Sequence, residues 1–481
     1  MPYTIKKKLF LKKRLLQISL LSLTLLGISC EKLIEINPPT TSINGDNVYT
    51  NDQTAAAVLT GIYTNISATG ITNSDLSAMG FITGLSGDEL TLYSGSTDLR
   101  LKSYYQNNLR NITSSTEFWT KVYKILYTAN LSIEGLNNST SLTSEVKRQL
   151  LGEAKFIRAF CFFYLVNLYG EIPITTSTNY ITNNMLARSP INQIWSQIIM
   201  DLEEAKELLS STYLDGAIKH ETSERIRPTK WAATALLARC YLYTKNWENA
   251  EKQATEVISK SDLYKLDSLD KSFLMNNSEA IWQLQPVNIG SNTEDAKTYI
   301  IPSTGPSFLT PVYISSQLIN SFEANDQRKK VWINTVSASG TLYYYSYKYK
   351  IGKLDEPLSE YNTILRLGEQ YLIRAEARAQ QDNLSGSKDD LNIIRKRAGL
   401  EKSNVTEKNL LLTAIFHERQ VELFTEWGHR WMDLKRTNMV DEIMNQVTPK
   451  KGGNWNSNWK LYPIPSYDIV SNSNLYQNPG Y

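Results

Sequence analysis

Glu418 and Glu422 stand one helical turn apart in Glu418-Arg419-x-x-Glu422-Leu423, and paired carboxylates are what acid–base cleavage of a glycosidic bond requires. That chemistry needs its carboxyls to flank a substrate cleft, whereas these share one helix face among guanidinium groups. The pattern continues as Glu426-x-Gly428-x-Arg430-x-x-Asp433-Leu434-x-Arg436, with charges at i,i+3 and i,i+4 spacing. Glu426 is expected to meet Arg430, and Asp433 to meet Arg430 and Arg436. Glu418, Arg419, Glu422, Glu426, Arg430, Asp433 and Arg436 therefore read as a structural ion network tying the last helices together. A surface glycoside hydrolase built from scattered carboxylates is the remote alternative. The chain has three histidines, His220, His417 and His429. His417-Glu418 begins like a zinc-protease helix, but the second histidine position holds Val421. No glycine-rich phosphate loop follows a strand. The reading is therefore no catalytic centre, no metal and no cofactor.

Binding chemistry is better supplied. Sugars present flat apolar faces rimmed by hydroxyls, which suits tyrosine and tryptophan platforms edged by amides and charges. The chain carries 28 Tyr and 10 Trp. Two long polar stretches, about 70–112 and 262–312, hold Asp88, Tyr93, Arg100, Tyr104, Tyr105, Asn107 and Tyr299. Connections of that length usually carry function. The expectation is one exposed, shallow patch of Tyr93, Tyr104, Tyr105 and Tyr299, with Asp88, Arg100 and Asn107 at its rim. The alternative for each is an ordinary loop or packing residue. Trp282, in Ala280-Ile281-Trp282-Gln283-Leu284, reads as part of a buried strand. Tyr343, Tyr345, Tyr347 and Tyr349 alternate as on a strand or hairpin.

The N-terminus decides the compartment. Lys6, Lys7, Lys8, Lys12, Lys13 and Arg14 precede an apolar run from Leu15 to Ile28, which ends in Leu26-Gly27-Ile28-Ser29-Cys30. The run is short for a bilayer span and reads as a secretory signal over residues 1–29. Small residues ahead of Cys30 resemble a lipobox, which makes Cys30 the acylated N-terminus of a lipoprotein. Residues 30–50, with Pro38-Pro39, read as a lipidated tether, and 51–481 as a single domain. Losing the six leader cations takes the formal charge from +3 to −3. A mildly acidic, mixed surface excludes the clustered basic face that nucleic acid needs. Cys161 and Cys240 lie in apolar helical stretches and read as buried hydrophobes.

Helical periodicity marks residues 53–67, 116–137, 145–169, 190–210, 228–244, 247–259, 361–380, 387–398 and 408–427. Leu237, Ala238 and Tyr241, followed by Trp247, Ala250, Ala254 and Val257, have tetratricopeptide spacing, with Lys245-Asn246 at the turn. Such units need stacked neighbours. The expected fold is mainly α, an α-α superhelix of tetratricopeptide-like pairs with long irregular loops and a few short strands.

Nearly end to end, the chain resembles the SusD/RagB family of nutrient-binding outer-membrane lipoproteins of Bacteroidota. The resemblance is carried by Cys30-Glu31-Lys32-Leu33, Trp119-x-x-x-Tyr123 with Ala129-Asn130, and Gly152-Glu153-Ala154-Lys155-Phe156-x-Arg158. It continues through Leu168-Tyr169-Gly170-Glu171-Ile172-Pro173, Ala235-Leu236-Leu237-Ala238-Arg239 and Arg374-Ala375-Glu376-Ala377. The Glu418–Arg436 pattern, Tyr462-Pro463-Ile464-Pro465 and Gln477-Asn478-Pro479-Gly480-Tyr481 complete it. It implies a helical solenoid whose irregular face captures an oligosaccharide, or in some members a peptide. It also implies a TonB-dependent outer-membrane transporter as partner and a lipid-anchored position facing the cell exterior. A scaffold lipoprotein assembling other membrane proteins on its helical face is the competing reading.

Overall fold

Small and apolar residues at helical spacing let neighbouring helices approach closely, and the chain uses them for most of its length. The structure, a computed structural model, describes residues 48–70, 76, 78–111 and 117–481. The leader, Cys30 and the tether up to Asn47 lie outside the described residues. The helices are α1 (Asp52–Asn65), α2 (Met79–Ser86), α3 (Leu99–Tyr105), α4 (Glu117–Asn138), α5 (Ser144–Tyr169) and α6 (Ile191–Leu208). They continue as α7 (Lys230–Tyr243), α8 (Trp247–Ile258), α9 (Leu367–Gln380), α10 (Leu384–Arg397), α11 (Lys408–Glu422) and α12 (His429–Arg436), with further short ones between and after them. The succession α4, α5, α6, α7, α8, α9 packs neighbour on neighbour, and α9 also meets α10 and α11. The fold is mainly helical, as the periodicity predicts.

The pair α7–α8 shows how local chemistry makes a unit. Lys245 takes a positive φ of 60° at the turn, and the Asn246 side chain accepts from the Asn249 N–H to cap α8. Ala238 and Ala250 are fully buried where the two helices touch. Deeper in, Trp282 has Phe156 at 5.0 Å and Phe160 at 5.3 Å, both rings edge-on. Arginine–carboxylate pairs lock successive helices together: Arg158–Asp201 between α5 and α6, Arg239–Glu369 between α7 and α9, and Arg374–Asp390 between α9 and α10, each at 2.6 Å. Cys161 and Cys240 are free and buried.

Six strands make three two-stranded antiparallel sheets among the described residues: β1 (Leu90–Leu92) with β3 (Val312–Ile314), β2 (Ala280–Leu284) with β6 (Asn362–Arg366), and β4 (Ile333–Ala338) with β5 (Thr341–Ser346). The β4–β5 hairpin closes through Ser339 and Gly340, both at positive φ, as a two-residue hairpin turn requires. Three expectations need correction. Residues 361–366 are no helix start, because Thr363-Ile364-Leu365 is buried in β6 against β2. Residues 48–50 belong to the body, since buried Tyr49 donates to Ser132 at 3.2 Å and packs where Gly135 leaves no Cβ. The long polar stretches are not wholly irregular; the first holds α2, β1 and α3, the second β2 and a helix at Glu294–Tyr299.

Candidate functional site

Four of the seven residues expected in a ligand patch are buried instead. On α3, Leu101 and Tyr104 occupy the inward side, so Tyr104 is only 4% exposed and its ring meets Tyr462 at 5.4 Å. Tyr299 is 5% exposed beside Phe81, at 6.4 Å. Asn107 is a buried tie, donating to the Ser86 carbonyl at 3.0 Å and accepting from Thr448 at 2.9 Å. Asp88 holds Arg430 in a bidentate pair at 2.9 and 2.7 Å. Arg100 stays half-buried over the Leu76 carbonyl, at 3.3 Å. The single tyrosine patch is therefore not assembled as expected, and Tyr104 and Tyr299 serve packing.

Tyr93 and Tyr105 remain at the surface, half-buried, on elements that adjoin one face. The Tyr93 N–H donates to the Pro311 carbonyl at 2.7 Å, extending the β1–β3 ladder. In that ladder Thr91 lies opposite Tyr313. Val312 and Ile314 point inward, so Tyr313 points out. Its ring stands 5.1 Å from Tyr343 on β5, at 76°. A groove of about 320 Å³ runs beside it, lined by Thr91, Tyr105, Tyr313, Gln317, Lys450 and Lys451. Exposed Phe308 and Leu309 lie on the loop entering β3, and Gly305 of that loop abuts Ala338 at the hairpin tip. Rings with hydroxyl, amide and ammonium edges are the groups that stack on and hydrogen-bond a sugar. Tyr313 escaped sequence reading because it sits singly in a three-residue strand; its apolar-polar-apolar context was the available signal.

The charged residues position this face. Asp433 pairs with Arg436 at 2.7 Å, as the spacing suggests, and also with Arg419 of the preceding helix at 2.7 Å. Arg430, however, turns to Asp88, and Glu426 to Arg366 and Lys348, not to Arg430. Glu422 sits at the centre of a larger hub, contacting Arg328 at 3.0 Å, Arg366 at 2.6 Å and also Arg397. Glu418 contacts Arg328 at 2.6 Å, and Glu279 contacts Arg366 and Arg397. The hub holds Lys348, just beyond the hairpin strand that carries Tyr343. Glu418 and Glu422 are fully buried in it and face no open cleft.

Burial works to raise the Asp88 carboxyl, but the Arg430 guanidinium outweighs it and leaves Asp88 below the ordinary range. Neighbouring Glu89 has no ion pair among the described residues; burial first, then the Asp88 charge, pushes it up to about 8. Burial likewise lowers the Lys451 ammonium to about 7, with Asp88 opposing. Protonated Glu89 stabilises the folded state fully below its unfolded value of 4.5, and that contribution is lost as pH rises through about 8. Glu89→Gln is expected to flatten this fall. Urea unfolding at pH 5 and pH 9 checks it, and equal losses in wild type and variant would contradict the assignment.

Residues 86–242 match a family described as starch-binding and associating with the outer membrane, SusD-like, and residues 317–481 match the SusD family itself. The chain belongs to the SusD/RagB family. A SusD-like protein of Formosa agariphila is 25% identical over 432 residues, covering 76% of this chain and 79% of its own. A SusD superfamily crystal structure from Bacteroides vulgatus superposes with a TM-score of 0.75 at 21% identity, over 89% of this chain and 99% of that one. A laminarin-binding SusD-like protein superposes with a TM-score of 0.72 at 22% identity, over 90% and 100%. At these identities the two structures speak for the SusD fold.

Proposed function

We propose that this SusD/RagB protein is a non-catalytic, cell-surface glycan-binding lipoprotein whose binding face is built from β1–β3, α3 and the β4–β5 hairpin. The observation that carries the reading is the Tyr105–Tyr313–Tyr343 face beside a polar groove, in a family whose relatives include a laminarin binder. The carboxylates that a hydrolase reading would use are consumed in the ion hub, which supports binding without bond cleavage. The ligand is an oligosaccharide, with peptide as the narrower alternative. The protein is anchored at the outer membrane through acylated Cys30, faces the exterior, and passes its ligand to a TonB-dependent transporter; the N-terminal sequence and the family resemblance support these finer assignments.

Affinity gel electrophoresis against a panel of neutral polysaccharides tests the function. At least one should retard the protein, with dissociation constants on the order of micromolar to millimolar for a shallow face; no retardation by any of them contradicts it. Cys30→Ala should move the protein from the membrane to the soluble fraction without lowering its thermal stability, because durable attachment needs the acyl chains. Unchanged retention on fractionation would contradict the anchor.

A further inference from the structure

We propose a second saccharide site, between α4, the 173–184 segment and the helix Ser466–Ser471, that takes a neutral pyranose chain independently of the tyrosine face described above. A pocket of about 530 Å³ opens there, within the range of roughly 300–1,000 Å³ typical of small-molecule sites. Trp119, Tyr123 and Tyr127 follow one another at i, i+4 and i+8 along a single face of α4, with an axial step of about 6 Å between them. They grade from floor to mouth: Trp119 is 4% exposed, Tyr123 half-buried and Tyr127 50% exposed. Trp119 and Tyr123 stand 4.7 Å apart.

Between the rings the walls carry polar groups. Thr128, Thr175, Ser177, Asn184 and Ser471 contribute hydroxyls and an amide, and aliphatic lining among the described residues is confined to Pro173 and Leu475. That composition suits a ring with an apolar face and hydroxylated edges. One ammonium, Lys124, and one carboxylate, Asp468, balance each other in charge. The frame is set before any ligand arrives: Tyr123 donates to the Pro173 carbonyl at 2.9 Å, Asn130 to Thr175 at 2.8 Å and Asn183 to Ser177 at 2.7 Å. Such preorganisation lowers the ordering cost of binding. Tyr180 and Tyr467, on the short helices Tyr180–Asn183 and Ser466–Ser471 whose other residues line the pocket, are 71% and 80% exposed. The pocket is separate from the first face. The buried rings of Tyr169, Tyr462 and Tyr104 stand in ring-to-ring contact between Trp119 and the helix bearing Tyr105.

This inference shares the saccharide-binding reading with the function proposed above but rests on other residues, and titration calorimetry on the full chain separates the two. The probes are maltoheptaose, laminarihexaose, cellohexaose, xylohexaose and one neutral heptapeptide. Wild type should bind at least one oligosaccharide at two sites per chain, and the Tyr105→Ala/Tyr313→Ala/Tyr343→Ala variant should keep one of them. Adding Tyr127→Ala should weaken that residual binding about tenfold, as loss of one stacked ring implies. Adding Ser471→Trp instead, which crowds the pocket's lining at a hydroxyl with no hydrogen bond among the described residues, should abolish it. The proposal is overturned if the triple variant binds no oligosaccharide, if both added substitutions leave residual binding unchanged, or if only the peptide enters. If the triple variant binds as wild type while Tyr127→Ala binds nothing, the tyrosine-face reading fails and this one stands.

Discussion

Arg366→Ala should be the most damaging single substitution outside the hydrophobic core. Arg366 is buried and holds three carboxylates at once, Glu279 at 2.8 Å, Glu422 at 2.6 Å and Glu426 at 2.7 Å. Removing one partner of a buried pair costs about 3–5 kcal/mol because the remaining charge is stranded, and here three are left short of a cation. The expected result is a loss of at least that size in urea unfolding, or failure to accumulate as folded protein. Lys408→Ala is the control: its pair with Asp382 is largely solvated, so about 1 kcal/mol or less should be lost. Similar losses in both variants would show that the hub carries no special share of stability.

Tyr313→Ala combined with Tyr343→Ala should weaken glycan binding by about tenfold to a hundredfold, since each stacked ring contributes roughly 0.5–1.5 kcal/mol beyond its buried area. Both rings are half-exposed, so the fold should survive the change, as read by circular dichroism. Tyr104→Ala should behave in the opposite way. Its ring is buried against Tyr462, and truncating a buried aromatic costs about 3–5 kcal/mol of stability. Titration calorimetry beside thermal melts distinguishes the two; a binding loss for Tyr104→Ala at unchanged stability would return that residue to the ligand face.

Period and spacing made the helical scaffold legible because amphipathic patterning is local. The α7–α8 unit, with its small residues at Ala238 and Ala250 and its turn at Lys245-Asn246, is legible within the single stretch from Leu237 to Val257. The ion network was legible only where its partners share a helix or adjoin one, as Arg419, Asp433 and Arg436 do. Helical spacing points Arg430 at Glu426 and Asp433, but its partner, Asp88, lies 342 positions away, and no helical spacing encodes that pairing. Arg328 and Arg366 went unread for the same reason. The binding face was legible as a region and not as a set of side chains. Adjacent Tyr104 and Tyr105 stand about 100° apart around α3, and Tyr104 is the one buried because it meets Tyr462, supplied from the far end of the chain.

A crystal structure of the protein soaked with the oligosaccharide that binds best shows where the sugar sits and whether it is cleaved. The expected result is an intact sugar chain lying across Tyr105, Tyr313 and Tyr343, with hydroxyls toward Thr91, Gln317 and Lys450. An empty tyrosine face with sugar bound only elsewhere, or cleaved products in place of the intact chain, would contradict it.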